Sequence, residues 1–445
     1  MEENLSRYQT QTAKEQLLDG LHKKLRNMTS EAHPNGRDIR LIQQNIRELL
    51  PSVDTGKALP YKKTPNGRIQ VLQMTYTRNQ TDELIETEIA HLKFFARTVA
   101  ELGLQLEILT NEKSRGDIEK ELVKDEYQLL NYTIIESQKP VWKWAEDGVE
   151  YLENGRTAIL YPFDEQLLQW AMTESRRHRW TGKIDPENLE EALRDDLLWI
   201  PLGISVNTVK VGLERECATQ VKGQNICHLR AYIEGGNMIT GEDKTGQPVI
   251  IVGKDAIGAT AHIYQLNDDD VRRIICEDFG LEGIQQVICV EQPGQFHLDM
   301  GMLFIGNGVV IVNDSRESLK DAMEMAEIAP CLTTEKMAAK LKLQCQLEKE
   351  ATKDLETAGL EVRRDKLENN LLYNFFNGEF VEGKDGFNYY ITNGGPQEQE
   401  EKFQTLMVEE WKVVKKVIFS PKDAAHKSLQ ERGGVGCRIK GHRIN

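Results

Sequence analysis

The residue of greatest chemical interest is a cysteine eight positions from the end of the chain. Cys437 stands in ERGGVGCRIKGHRIN behind Gly433, Gly434 and Gly436, and glycines so closely spaced permit backbone conformations and close ligand approach that bulkier residues forbid. A thiol held in this way can face a narrow cleft and attack as its thiolate, although a free cysteine is more often a small buried apolar residue. His297 and Asp299 lie in QPGQFHLDMGMLFIGNGVVIVND. Residues two apart in an extended segment point the same way. A strand here therefore turns the imidazole and the carboxylate to one surface, between Phe296, Leu298 and Met300, as an acid/base and a cation binder. A satisfied histidine on a half-buried strand has the same pattern. Glu234 lies in RAYIEGGNMITG, where the Gly-Gly pair predicts a sharp turn beside the carboxylate and Asn237. Such a turn suits a ligand contact and equally an ordinary hairpin. Asp147, in KPVWKWAEDGVEYLENGR, has Trp142 and Trp144 as apolar walls and Gly148 as a turn. Aromatic and acidic side chains in one loop suit a planar cation. On residue type alone Glu146 is an equal candidate, and a surface acidic turn is the plain alternative.

Residues as much as 290 positions apart need elements that bring them together. Residues 1–60 read as polar helices, with Leu17, Leu18 and Leu21 closely spaced and Leu41, Ile42, Ile46, Leu49 and Leu50 at a helical period before Pro51. After the loop KALPYKKTPNGR the texture changes. RIQVLQMTYT reads as a strand, about 82–101 as an amphipathic helix and LQLEILT as a second strand, the start of an α/β domain. The unit recurs in GQPVIIVGKDAIG with QQVICVEQ, in GNGVVIVND with its following helix, and in NYYITNGG with KKVIFSP. Two stretches break the rhythm: a helical insertion at about 165–200, and a Lys/Glu-rich helical stretch at about 333–372 that reads as a solvated face.

Composition bounds the partners. The chain has 445 residues, 39% of them hydrophobic, enough for a proper core, and 71 acidic against 56 basic residues. That balance argues against a general binder of nucleic acid. No apolar run approaches a membrane span and the start lacks a secretory apolar core, so a cytoplasmic protein is expected, with secretion as an effector left open. Seven scattered cysteines form no CxxC pair and no zinc-finger cluster. The basic cluster Arg176, Arg177, His178 and Arg179 reads as a solvated helix face, with a substrate carboxylate or an acidic protein segment as the sharper alternative.

The order of the motifs, acidic loop, EGGN, HLD and terminal GGVGC, resembles the guanidino-group-modifying enzymes of the pentein superfamily over about 68–445. EGGN and HLDM look closest to the agmatine and bacterial peptidylarginine deiminases. The first acidic motif departs from the family, which usually has Arg-Asp where this chain has Ala145, Glu146 and Asp147. The resemblance implies an α/β propeller of about five repeated units around a funnel, preceded by the helical segment 1–60 and carrying the helical insertion. It also implies a cysteine-dependent deiminase acting on arginine, agmatine or a peptidyl-arginine through a covalent thiouronium. Cys437 would be the nucleophile, His297 the acid/base, Glu234 its orienting carboxylate, and Asp147, Asp299 and Asn237 the substrate contacts. No metal or organic cofactor is implied. An amidinotransferase would use the same residues, and a pentein-fold binding protein would need none of them. The segment 1–60 suggests a protein partner or a homo-oligomer contact.

Overall fold

The computed structural model describes residues 36–50, 55–78, 82–123, 132–137, 141, 143–160, 225–293, 297–329, 331–364, 367–370, 372–431 and 433–444, and most of 14–28. Trp142, the insertion at about 165–200 and its basic cluster lie outside these residues.

The fold is mixed α/β, built of five small sheets among the described residues. In four of them an antiparallel pair is followed by a parallel strand. These sets are β4 (Val149–Tyr151), β5 (Thr157–Ile159) and β6 (Ile226–His228); β7 (Met238–Glu242), β8 (Pro248–Gly253) and β9 (Val287–Val290); β10 (Met302–Phe304), β11 (Val309–Val312) and β12 (Glu361–Arg363); and β13 (Gly378–Glu382), β14 (Asn388–Thr392) and β15 (Lys416–Phe419). The remaining sheet keeps the same order with strands from both ends of the chain. β16 (Ile439–His442) pairs antiparallel with β1 (Val71–Thr75), which pairs in parallel with β2 (Gln105–Asn111), and β2 in turn with β3 (Tyr132–Ser137). The central strands of the three-stranded sheets are short and mostly apolar; in β8, for example, every residue after Pro248 is buried. Such runs are expected of strands covered on both faces.

The parallel strands require crossovers, and helices supply them: Asp82–Leu102 between β1 and β2, Lys254–Tyr264 and Asp268–Phe279 between β8 and β9, and Gln397–Thr405 between β14 and β15. The recurring units of the sequence are thus real elements. The stretch at 333–372 is a correction, because it keeps the rhythm. Helix Leu332–Thr357 is part of the crossover from β11 to β12 and buries Leu343, Leu347, Ala351 and Leu355 along one stripe. Lys and Glu fill its other faces and hide that narrow row in the sequence. At its centre Glu348 is fully buried, accepting hydrogen bonds from Asn313 Nδ2, the Ser315 backbone and Arg364 Nη2 at 3.0, 3.0 and 2.7 Å.

Before the first sheet, helix Gly36–Leu49 buries Ile42 and Ile46. They join a core with Ile274, Phe279 and Val287, while Leu41 stays 57% exposed. Residues 42, 46 and 50 share a helix face that Leu41 does not reach. Among the described residues no helix is long and apolar enough to cross a membrane.

Candidate active site

Four of the sheets begin with an antiparallel strand, β4, β7, β10 or β13, and β16 takes the same place beside β1. The candidate residues sit just ahead of these five strands. Glu146 and Asp147 precede β4, 234–237 precede β7, 297–300 precede β10, Asn377 precedes β13 and Cys437 precedes β16. The repeated topology places equivalent chain positions together, so side chains 290 residues apart meet.

Glu234 and His297 each stand in extended backbone at the start of a single 3₁₀ turn, Gly235–Asn237 and Leu298–Met300. The expected strand at His297 is therefore corrected to a turn, which still brings His297 and Asp299 to the site. Two tight turns can touch only if one lacks side chains. A Cβ on Gly236 would lie 2.4 Å from His297 Nδ1 and 2.8 Å from Asp299 Oδ1, which is why the EGGN motif needs glycine there. Across this contact His297 Nε2 lies 2.6 Å from Glu234 Oε2.

Asn237, expected as a substrate contact, is held by hydrogen bonds within the protein. Its Nδ2 donates to both Asp255 carboxylate oxygens at 3.0 Å, and its Oδ1 accepts from the Leu298 backbone N–H at 3.2 Å. The amide is buried and its donor and acceptor ends are both occupied. It ties the turn of Glu234 to the turn of His297.

Cys437 is 3% exposed in the short helix Val435–Arg438. Its sulfur and ligating atoms of His297 and Asp299 lie within 4.8 Å of one another. The glycines before it serve packing more than ligand approach. A Cβ on Gly434 would lie 2.5 Å from Asn393 Nδ2 and 2.6 Å from Asn377 Oδ1. The Val435 backbone N–H donates to Asn393 Oδ1, and that of Glu146 to the Cys437 carbonyl, at 2.9 and 3.2 Å. Trp144 packs against the cluster of Met300, Leu429 and Cys437.

No family model matches the sequence, and no curated protein matches it. Comparison of the folds is decisive. One solved structure, of a protein ascribed to the agmatine deiminases, superposes with a TM-score of 0.58 at 13% identity, covering 89% of this chain and 98% of its own. A second, the agmatine deiminase of Enterococcus faecalis catalysing its reaction, gives 0.53 at 12% identity, covering 88% and 98%. The chain shares its fold with agmatine deiminases. That fold agrees with the pentein resemblance of the motifs; at such identity the agmatine deiminase likeness speaks for the fold, and the chemistry rests on the residues themselves.

On this agmatine deiminase fold the site is dominated by acids short of donors. Lys63, from the loop ahead of β1, donates to Glu146 and to the Gly235 carbonyl, the latter at 2.9 Å. Lys440 pairs with Glu150 at 2.6 Å. Of the two neighbouring acids, Glu146 pairs with Lys63 through one oxygen, and the buried Asp147 Oδ1 has no hydrogen-bond partner. Asp299 Oδ1 and Glu146 Oε2 also lack a donor. These two carboxylates face each other closely enough to share a proton, but when both are ionised neither can donate. Burial pushes Asp147 up to about 7, with Glu234 and Glu146 adding to the rise against the pull of His297. Asp299 is held well above the carboxylate range by burial and by Glu146. Burial and Asp299 push the Cys437 thiol up to about 12. Burial opposes the His297 imidazolium, yet hydrogen bonds to Cys437 and Glu234 raise it well above its ordinary value. Such an arrangement can accept a cation that brings its own N–H donors.

Lys63 and Asn377 went unnoticed in the sequence. Their only signals are positional: Asn377 forms an Asn-Gly step ahead of the strand GEFVE, and Lys63 precedes the turn Pro65–Gly67 that leads to β1.

Proposed function

We propose that the chain is a deiminase of guanidino compounds, with Cys437 as nucleophile. The observation that carries this reading is the meeting of a buried thiol and a His297–Glu234 pair with two carboxylates, Asp147 and Asp299, that each hold a buried oxygen without a donor. A guanidinium fits this arrangement, being planar, cationic and supplied with N–H donors on every edge.

Asp147 and Asp299 bind the guanidinium in their ionised forms and fix its carbon against the Cys437 sulfur. The incoming charge offsets the repulsion of Asp299 and favours the thiolate. Sulfur attacks the guanidinium carbon, forming a C–S bond and a tetrahedral adduct. The imidazolium of His297, oriented by Glu234, protonates a terminal nitrogen; the C–N bond breaks, ammonia leaves and a thiouronium remains on Cys437. The now neutral His297 takes a proton from water, whose oxygen attacks the same carbon. Collapse breaks the C–S bond, leaving a ureido product and the free thiol. With an amine in place of water, the same residues would transfer the amidino group.

We read 68–445 as the catalytic domain, its five units arranged as a propeller around this site, and 1–60 as an extension, of which helix Gly36–Leu49 packs against helix Asp268–Phe279. A small guanidine or an arginine side chain is the substrate class, agmatine being what the fold relatives are named for. A haloacetamidine, which carries the planar cation, should alkylate Cys437, and His297→Ala should lose both this labelling and turnover. Equal labelling of Cys437 after the protein is denatured, with none in the native state, would point to a binding protein instead.

A further inference from the structure

Lys63 is a cation beside the site acids that the reaction above leaves unused. It is mostly buried in the loop ahead of β1, and its backbone N–H donates to the Thr240 carbonyl of β7 at 2.9 Å. Its ammonium donates to Glu146 Oε1 and to the Gly235 carbonyl, and lies 3.8 Å from Glu150 Oε1. The other oxygen of Glu146, Oε2, has no donor, and neither has Asp299 Oδ1, whereas Asp299 Oδ2 accepts from Asn377 Nδ2 at 2.6 Å. Two bare carboxylate oxygens thus face each other, with Lys63 holding the far oxygen of one of them. Like charges this close keep a proton between them unless a cation offsets the repulsion. A proton on Asp299 would deprive a guanidinium of one of its two carboxylates.

The surroundings offer few other charges for that task. Lys440 pairs with Glu150 at 2.6 Å and stands 4.0 Å from Glu146, and Glu379, buried on β13, faces both lysines. Tyr390, beside Glu379, donates its hydroxyl to the Phe376 carbonyl. Toward the thiol, Asp299 meets His297, itself paired with Glu234, and Cys437, with Asp147 close by. Two ammonium groups, Lys63 and Lys440, therefore serve four carboxyl groups, Glu146, Glu150, Glu379 and Asp299, and it is Lys63 that donates to Glu146. Burial and Glu146 push Asp299 up, and the charges of His297 and Lys63 pull it back.

We propose that Lys63 is a positioning residue for the reaction proposed above: by neutralising Glu146 it frees Asp299 to meet the guanidinium as a carboxylate. The inference rests on the reading of Asp299 as a substrate carboxylate. A neutral side chain at 63 leaves Glu146 and Asp299 to hold a proton between them, so the cation binds only at higher pH. A glutamine at 146 acts in the opposite direction. Its oxygen can accept from Lys63 while its amide donates to Asp299, which removes the repulsion at its source.

The test is labelling of Cys437 by chloroacetamidine, a planar cation, relative to iodoacetamide, a neutral reagent, read by mass spectrometry from about pH 5 to about pH 10. Both reagents need the thiolate, so the ratio of their rates reports the cation site. In the parent this ratio should rise with pH as Asp299 loses its proton. Lys63→Met should move the midpoint of the rise up by about one pH unit or more, a loss of about 10-fold in the ratio below the midpoint, with recovery at high pH. Lys63→Arg keeps the charge and should keep the parent midpoint. Glu146→Gln, alone or joined to Lys63→Met, should bring the midpoint below that of the matching glutamate protein. A loosened site would instead lower the ratio at every pH and would not be mended by a second substitution. An unmoved midpoint in Lys63→Met, a ratio lowered equally at every pH, or no downward movement with Glu146→Gln overturns the proposal. Protection of the buried Cys227 and Cys276 from iodoacetamide shows that a variant is folded; should Lys63→Met fail this, Glu146→Gln alone decides. Labelling requires no turnover, so a chain that favours the amidine yet releases no ammonia from any guanidine would defeat the deiminase reading and leave the midpoints legible. A parent in which the amidine gains nothing at any pH would overturn the proposal together with the cation site.

Discussion

At the scale of single residues the site holds its acids in a costly state, and the cost has a pH signature. Asp147 is raised to about 7, Asp255 to about 6 and Glu379 to about 8, in each case chiefly by burial. A carboxyl whose folded pKa lies above its unfolded value binds more protons in the native state. Stability is then greatest below the unfolded pKa and falls as pH rises toward the folded one. The unliganded protein should therefore lose stability between about pH 4 and about pH 8. Asp147→Asn should remove part of that decline and raise stability at neutral pH by about 1–3 kcal/mol, while raising KM at least 10-fold through loss of an ionic hydrogen bond. Thermal melts across the pH range check the first expectation and steady-state kinetics the second; a variant no more stable at pH 8 than at pH 4 relative to the parent would contradict it. Residue types beside turns made Cys437, His297, Glu234, Asp299 and Asp147 candidates in the sequence, and the order of their motifs raised them above ordinary turns. Asn237 was legible only as a polar group on a turn. Its partners Asp255 and Leu298 come from other segments, and no local pattern announces them.

At the scale of elements, the sequence displayed strands more openly than the helices that connect them. β8, β11 and β14 are apolar runs with turns beside them, and they were visible as units. Helix Leu332–Thr357 was not seen as a crossover, since its buried stripe is narrow and includes Gln344 and Glu348. A charged residue in a Lys/Glu-rich stretch looks solvated until Asn313, Ser315 and Arg364 are seen around it. The expected consequence is large. Glu348→Ala leaves Arg364 with Asp314 as its carboxylate partner, takes the acceptor from the buried Ser315 N–H, and should cost about 1–3 kcal/mol in chemical denaturation. A loss below about 1 kcal/mol would show that Glu348 lies on an ordinary surface face. The HLD motif also shows how a correct pairing can come from an incorrect element: a 3₁₀ turn, not strand alternation, brings His297 and Asp299 together.

At the scale of the whole molecule, one repeated topology explains why the site is so dispersed in sequence. Each antiparallel strand starts next to the site, and the C-terminal β16 joins β1, so that Cys437 takes the place in the first sheet that Asp147, Glu234, His297 and Asn377 take in the others. The motif order was legible because each unit delivers its residues once, in chain order. The contributions of Lys63 and Asn377 were not, because a lone lysine or asparagine carries meaning only through its place in the repeat. The central claim, that this assembly cleaves a guanidinium C–N bond through Cys437, is tested most directly by measuring ammonia and ureido product together over arginine, agmatine, methylated arginines and an arginine-containing protein. The account predicts equal amounts of the two products from at least one of these substrates, and none from the Cys437→Ala variant; ammonia release that survives in Cys437→Ala, or no release from any of them by the intact protein, would contradict it.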